Sequence, residues 1–267
     1  MTGSFTNWTE AQVLNHLFGG VPWSPLSTLY FGYMVGQPQE TGAGAEPNSG
    51  GYVRRGVSNN VTNFPVTANQ TKTHATAINW DKATTNHGNV VSIGVWDSPS
   101  GGNLIAFWLL PVPILISENM AMELPASSLS LSFTAGGLSN YVKNGMLNHI
   151  FGGVPFNVIP IMYAGYATTI PTDAVPGSEP SGNGYARSQF NNDTNMFPVT
   201  SQGQKANGLK IEFPEATGSQ GTASHVQFFD SPSGGNYLGR YALPVAMSVV
   251  LNSIPEIGQG TILITLD

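Results

Sequence analysis

Apolar positions along this chain follow two rhythms. Near the start, Val13, Leu14 and Leu17 recur at helical spacing behind Thr9-Glu10-Ala11-Gln12, which has the form of a capping box, and Gly19 stands where a left-handed C-terminal cap is wanted. The rhythm then changes to short apolar or alternating runs separated by Gly, Pro, Asn and Ser, which is the pattern of an all-β domain. Strands are predicted near residues 28–35, 52–57, 76–80, 90–96, 104–110, 121–124 and 128–133. The succession then starts again. A second helix is predicted from Ser139 through Val142, Met146, Leu147 and Ile150 to Gly152, followed by strands near 161–168, 185–190, 209–213, 224–229, 237–243, 248–251 and 260–266.

The restart is a duplication in the residues themselves. Leu14-Asn-His-Leu-Phe-Gly-Gly-Val-Pro22 returns as Leu147-Asn-His-Ile-Phe-Gly-Gly-Val-Pro155, and Asp97-Ser-Pro-Ser-Gly-Gly-Asn103 returns as Asp230-Ser-Pro-Ser-Gly-Gly-Asn236, both 133 positions on and without a gap. Phe64-Pro65-Val66-Thr67 likewise matches Phe197-Pro198-Val199-Thr200. A period this long fits tandem domains, not a solenoid. The expected fold is mainly β: two homologous β-sandwich domains of jelly-roll-like form, residues 1–135 and 136–267, each opened by one short α-helix. The link at 134–140 is short enough to restrict the angle between them. The loops at 36–51 and 165–184 are long and differ most between the copies, which is where partner contacts usually reside.

Composition narrows the functional classes. Only 9% of residues are charged, against roughly 25% in ordinary soluble domains, so solubility rests on Asn, Thr, Ser and Gln. The net charge of −6 is thinly spread, and the only adjacent basic pair is Arg54-Arg55, which argues against nucleic acid as a partner. The N-terminal residues lack the charged-then-apolar form of a signal peptide, and the most apolar stretch, 104–116, is too short for a bilayer and holds Pro111 and Pro113, so no membrane partner is expected. Without cysteine there is no thiolate chemistry.

Candidate chemistry is sparse. His16 and His149 correspond between copies but have no second ligand at helical spacing, so they read as partly buried helix histidines bonded to backbone, and no metal is expected. Glu46/Glu179 and Asp97/Asp230 are acids kept in both copies, the residue type that a glycosidase carboxylate pair requires. Asp97 and Asp230 are better explained as hairpin-turn residues, with Gly101, Gly102, Gly234 and Gly235 supplying positive φ. Glu46 and Glu179 are placed to pair with Arg54 and Arg187. Lys72 and Lys205 read as solvated loop charges. No nucleophile elbow or phosphate-cradling loop occurs, so neither catalysis nor a cofactor is expected.

The copies differ in their aromatics. All five tryptophans lie in copy one; Trp8, Trp23, Trp80, Trp96 and Trp108 align with Tyr141, Phe156, Phe213, Phe229 and Tyr241, a substitution pattern of packing positions. Phe107 aligns with Arg240. Since neighbours on a strand point to opposite faces, Phe107 and Trp108 cannot share one core. With Leu110 and Ile114 they mark a candidate interface, covered by the helix, by copy two or by another chain.

The helix Leu-Asn-His-Ile-Phe-Gly-Gly, the Glu-Pro loop leading to Gly-Tyr-x-Arg (Glu46-Pro47, Gly51-Tyr52 and Arg54; Glu179-Pro180, Gly184-Tyr185 and Arg187), the Asn-rich segment before Phe-Pro and the Asp-x-x-x-Gly-Gly-Asn hairpin together resemble a family of small tailed-bacteriophage structural proteins, usually labelled tail fibre or minor structural proteins. The resemblance covers both copies almost end to end. It implies a non-enzymatic virion component with no catalytic residues. The absence of heptads and thin repeats favours a capsid decoration or cement protein, a trimer being the favoured homo-oligomer, with the major capsid protein or other virion subunits as partners. The alternative is a tail fibre or tail-associated protein for which a host surface glycan is a candidate partner; a glycan-active enzyme is a remote third.

Overall fold

The computed structural model describes residues 1–133 and 137–266. Copy one runs β1 (Ser4–Phe5), α1 (Asn7–Leu17), β2 (Thr28–Met34), β3 (Arg55–Ser58), β4 (Lys72–Thr73), β5 (Ile78–Asn79), β6 (Gly88–Trp96), β7 (Leu104–Ile116), β8 (Glu123–Leu124) and β9 (Ser130–Leu131). Copy two runs α2 (Asn140–Ile150), β10 (Ile161–Ala167), β11 (Ser188–Asn191), β12 (Gln204–Ala206), β13 (Ile211–Glu212), β14 (Gly221–Phe229), β15 (Tyr237–Val249), β16 (Glu256–Ile257) and β17 (Leu263–Thr265). The protein is mainly β and built of two tandem homologous domains, as the duplication predicts.

Each domain has one main antiparallel sheet, ordered β1-β7-β6-β2-β3 in copy one and β11-β10-β14-β15 in copy two. Two-stranded ladders, β4-β9 with β5-β8 and β12-β17 with β13-β16, supply the remaining strand pairing. Ile78, Leu124 and Leu131 from the copy-one ladders, Trp80 just after β5, and Phe31, Val90, Ile93 and Val95 from the main sheet lie in the same buried cluster. The second layer is thus two short ladders in place of the continuous second sheet that a jelly roll would require. The expected strand at 76–80 shrinks to Ile78–Asn79, and the one at 52–57 begins only at Arg55, the Tyr52 N–H being bonded back to Ser49 O in a turn.

Strand β7 extends six residues past the predicted end, in spite of its prolines. Leu104–Leu109 pairs with Ser92–Trp96, Ile114–Ile116 pairs with Gly88–Val90, and residues 110–113 bulge between the two ladders. Pro111 and Pro113 therefore stand where no ladder N–H is called for. Copy two repeats the device, with Pro244 in the bulge that separates the Ala242 and Met247 pairings.

The helix termini differ from the predicted caps. In copy one the N-cap is Thr6, not Thr9, and no capping box forms: Thr6 Oγ1 donates to Leu104 O at 2.5 Å and Thr9 Oγ1 to Ile105 O at 2.8 Å, spending both hydroxyls on fastening the helix to β7. In copy two Ser139 Oγ accepts from the Val142 N–H, as the sequence suggests. Both helices end on an extended phenylalanine, Phe18 or Phe151, followed by two positive-φ glycines, Gly19 (φ +127°) and Gly20 (φ +63°) in copy one and Gly152 (φ +126°) and Gly153 (φ +66°) in copy two.

The copies do not have separate cores. One buried cluster holds Phe5, Phe31, Phe64 and Trp108 of copy one together with Phe151, Phe197, Phe228 and Tyr241 of copy two. Residues 134–136, which carry most of the predicted link, lie outside the described residues, but the restricted mutual placement expected of a short link is realised through this shared core. No helix among the described residues is long and apolar enough to cross a membrane.

Candidate functional site

Two places combine polar groups in a way that both copies keep. The first is a strut. Arg54 Nε donates to Glu46 Oε1 at 3.0 Å and Arg54 Nη2 to Glu46 Oε2 at 2.6 Å, while Nη1 donates to the carbonyls of Ser98 and Gly101 at 2.8 and 2.7 Å. The guanidinium lies 3.9 Å over the Trp96 ring, adding cation–π attraction to the bidentate pair. Tyr52 Oη donates to Glu46 Oε1 at 2.6 Å and accepts from the Tyr33 N–H, and burial together with the adjacent Glu46 pushes the phenol well above its ordinary range. Glu179, Tyr185, Arg187, Ser231, Gly234 and Phe229 reproduce the ion pair, the two carbonyl bonds, the phenol–carboxylate bond and the ring contact. The strut ties the long Glu-Pro loop to the hairpin that follows β6 or β14.

That hairpin is the predicted turn. Asp97 Oδ1 accepts from the Asn103 N–H at 2.7 Å and Oδ2 from Asn103 Nδ2 at 2.7 Å, and Asp230 holds Asn236 identically. Gly101, Gly102, Gly234 and Gly235 all have positive φ, 60° to 72°. The structure thus gives Glu46 and Asp97 separate partners: one is held by Arg54 and Tyr52, the other by Asn103. Each is a fixed acceptor, an arrangement that suits rigidity more than proton transfer.

The second place is the junction between copies, where the end of each helix is received by the other domain. Asn192 Oδ1 accepts from the Gly19 N–H at 2.7 Å while its Nδ2 donates to Leu17 O at 2.8 Å; Asn59 does the same for Gly152 and Ile150 at 2.6 and 2.9 Å. Asn15 exchanges two bonds with the Thr200 backbone, and Asn148 with Thr67. Phe18 enters the core of copy two against Phe197 (5.3 Å between centroids), Phe228 and Tyr241, and Phe151 meets Phe64 and Phe5 in copy one. Four buried asparagines therefore satisfy backbone groups that a helix end or a loop would otherwise leave orphaned.

Lys72 and Lys205 belong to this junction, contrary to their reading as solvated charges. They are 3% and 4% exposed. Lys205 Nζ donates to Phe18 O and Phe197 O, and Lys72 Nζ to Pro65 O and Asn148 Oδ1, which sets each cation at the C-terminal end of the other copy's helix, where the helix dipole favours positive charge. Burial lowers both ammonium groups to about 8.

The two helix histidines meet at the centre of the junction. Their ring centroids are 5.1 Å apart. The Trp23 N–H donates to His16 Nδ1 at 3.1 Å, so His16 Nε2 carries the proton and donates to Phe156 O of copy two at 2.6 Å; the Phe156 N–H donates to His149 Nδ1 at 3.1 Å. The backbone bonding expected of them is present, and part of it crosses between copies. Burial lowers both, and His149 falls to about 4 with His16 as a second cause.

The predicted interface splits. Trp108 lies in the shared core with its Nε1 donating to Ser130 O, while Phe107 is covered on the opposite sheet face by Met34, Trp96 and Leu104. Both are closed off within the chain and cannot serve as contact surface. Leu110 is half-buried, and Ile114 is exposed together with Leu109 (49% exposed), Val112 (71%) and Leu115. Copy two presents Val245 (81%) from the corresponding ribbon, with Val250 and Leu251 exposed in the turn that follows β15.

Residues 4–132 and again 137–265 match the protein family described as Podophage GP4 fiber I protein gp80. The chain belongs to this family. The two matches are offset by the same 133 positions as the residues quoted above and end on either side of the link, so the protein is a tandem gp80-family chain and a structural component of a phage virion. No curated protein matches it. Within this gp80-family chain, the residues that sequence reasoning missed are the asparagines and lysines of the junction. Their signal was available: Asn15, Asn59 and Lys72 recur as Asn148, Asn192 and Lys205 while neighbouring polar residues changed.

Proposed function

We propose that this protein is a non-enzymatic component of a fibre or fibre-attachment assembly on a podophage particle, acting as one rigid double module that presents two similar faces to neighbouring subunits. The observation that carries this reading is the reciprocal seating of the helix ends, which makes the two copies a single body with a pseudo-twofold junction. Such a body transmits position and force without hinge loss. The family description favours a fibre assembly over the capsid-decoration role that compactness alone suggested. The exposed apolar ribbons of β7 and β15 are surface that a virion partner would bury.

The test is placement and copy number in purified particles. Antibody-gold labelling at the fibres, with a few dozen copies or fewer per particle by quantitative mass spectrometry against the major capsid protein, supports the proposal. Label spread over the shell with hundreds of copies overturns it in favour of decoration.

A further inference from the structure

The duplication allows each surface feature to be compared with its counterpart, and one differs sharply. Beside α1, a groove of about 660 Å³ opens between the first helix, the 40–43 loop, the Asn103 turn and residues 199–202 of copy two. Trp8 lines it, held edge-on by Trp23 with centroids 5.9 Å apart, and Gln12, Glu40, Thr41, Asn103 and Gln202 supply the polar wall. Among the described residues, the side-chain amides of Gln12 and Gln202 and the Thr41 hydroxyl have no protein partner.

The matching place in copy two keeps an aromatic, Tyr141, and the Asn236 amide, but its remaining wall differs. Gln12 is replaced by Gly145, where the Phe156 ring packs so closely that a Cβ would overlap it. Glu40 is replaced by Asp173, which is bound by both Lys143 and Arg240, residues that stand where copy one has Glu10 and Phe107. Although burial pushes the Asp173 carboxyl up, these two cations hold it below its ordinary value. The same scaffold thus folds with this acid held in two ion pairs in one copy and lining an open groove in the other, so the groove's polar wall is not a requirement of the fold.

We infer that the groove is a binding site for a neutral oligosaccharide of two or three rings. An aromatic wall suits the apolar C–H face of a sugar ring. Unpaired amides and a hydroxyl, offering donors and acceptors together, match vicinal hydroxyls, whereas an apolar ligand would bury them unsatisfied. No Lys, Arg or His lines the groove and Glu40 faces it, which disfavours phosphate, sulfate and acidic sugars. The volume lies in the range of small-ligand sites. The site is distinct from the apolar ribbons, so loss of sugar binding would leave the structural reading untouched.

The test uses the full chain and four neutral trisaccharides, maltotriose, cellotriose, chitotriose and mannotriose, with sialyllactose as an acidic control, read by saturation-transfer NMR and tryptophan fluorescence. At least one neutral sugar is expected to bind with a Kd below about 5 mM. Trp8→Ala and, independently, the exposed Gln202→Ala should each weaken it about tenfold or more, and Tyr141→Ala at the counterpart position in copy two should leave it within about twofold. Gln202→Ala disturbs no packing, so its result stands even if Trp8→Ala misfolds. The inference is overturned if none of the four sugars binds, if binding survives Gln202→Ala, or if sialyllactose binds as well as the neutral sugars.

Discussion

Acid should loosen the junction through its histidines before carboxylates begin to protonate. His149 has an ordinary value of 6.5 that falls to about 4 in the folded protein, chiefly through burial and secondarily through His16. The folded state therefore holds it neutral while the unfolded chain takes up a proton below pH 6.5. The stability this group provides is complete above pH 6.5 and is lost as pH falls towards 4, at about 1.4 kcal/mol per pH unit, for a total of about 3 kcal/mol. His16, His74 and His225 are displaced in the same direction, each primarily by burial, so the whole protein loses more than this. The difference between wild type and His149→Gln isolates the one residue, since a glutamine carbonyl can accept the Phe156 N–H in place of Nδ1. Urea unfolding from pH 7.5 to 4.5 measures it. The variant should show a shallower decline, converging with or exceeding wild type near pH 4.5. A wild-type stability flat across this range, or an undiminished slope in His149→Gln, would refute the reasoning.

Phe18→Ala removes a side chain that is 1% exposed and packed on three aromatic rings of copy two, and should cost about 3–5 kcal/mol. Because all five tryptophans lie in copy one, their fluorescence midpoint should shift together with far-UV circular dichroism even though the lost packing is in copy two. Lys205→Met, which preserves the stem but strips the Phe18 and Phe197 carbonyls of their donor, should lower stability by about 1–3 kcal/mol in urea unfolding. Gly32→Ala would drive a Cβ into the Tyr52 hydroxyl and to 2.9 Å from Glu46 Oε1, costing about 1–3 kcal/mol by thermal melt, whereas Gly42→Ala, with nothing within 4 Å, should stay within about 0.5 kcal/mol of wild type.

Local chemistry with short reach was legible in the residues. The Asp97 turn, the Glu46–Arg54 pair and the two-domain β architecture all depend on neighbours within one copy, and the repeat displayed them twice. What escaped reading depends on the other copy. Lys72 looks like a loop charge until the C-terminus of α2 arrives beside it, and nothing local in the sequence says that Asn59 holds Gly152 and Ile150. Strand alternation puts Phe107 and Trp108 on opposite faces, but it cannot say that Met34 and Trp96 already cover the second face. The passage of β7 through two prolines was hidden because a bulge, not a strand end, accommodates them.

The central physical claim is that the duplicated chain folds as one body, and scanning calorimetry of the intact protein addresses it most directly. A shared core predicts a single transition whose van't Hoff and calorimetric enthalpies agree, shifted as a whole by Phe18→Ala. Two resolved transitions, only one of them moved by that substitution, would contradict it.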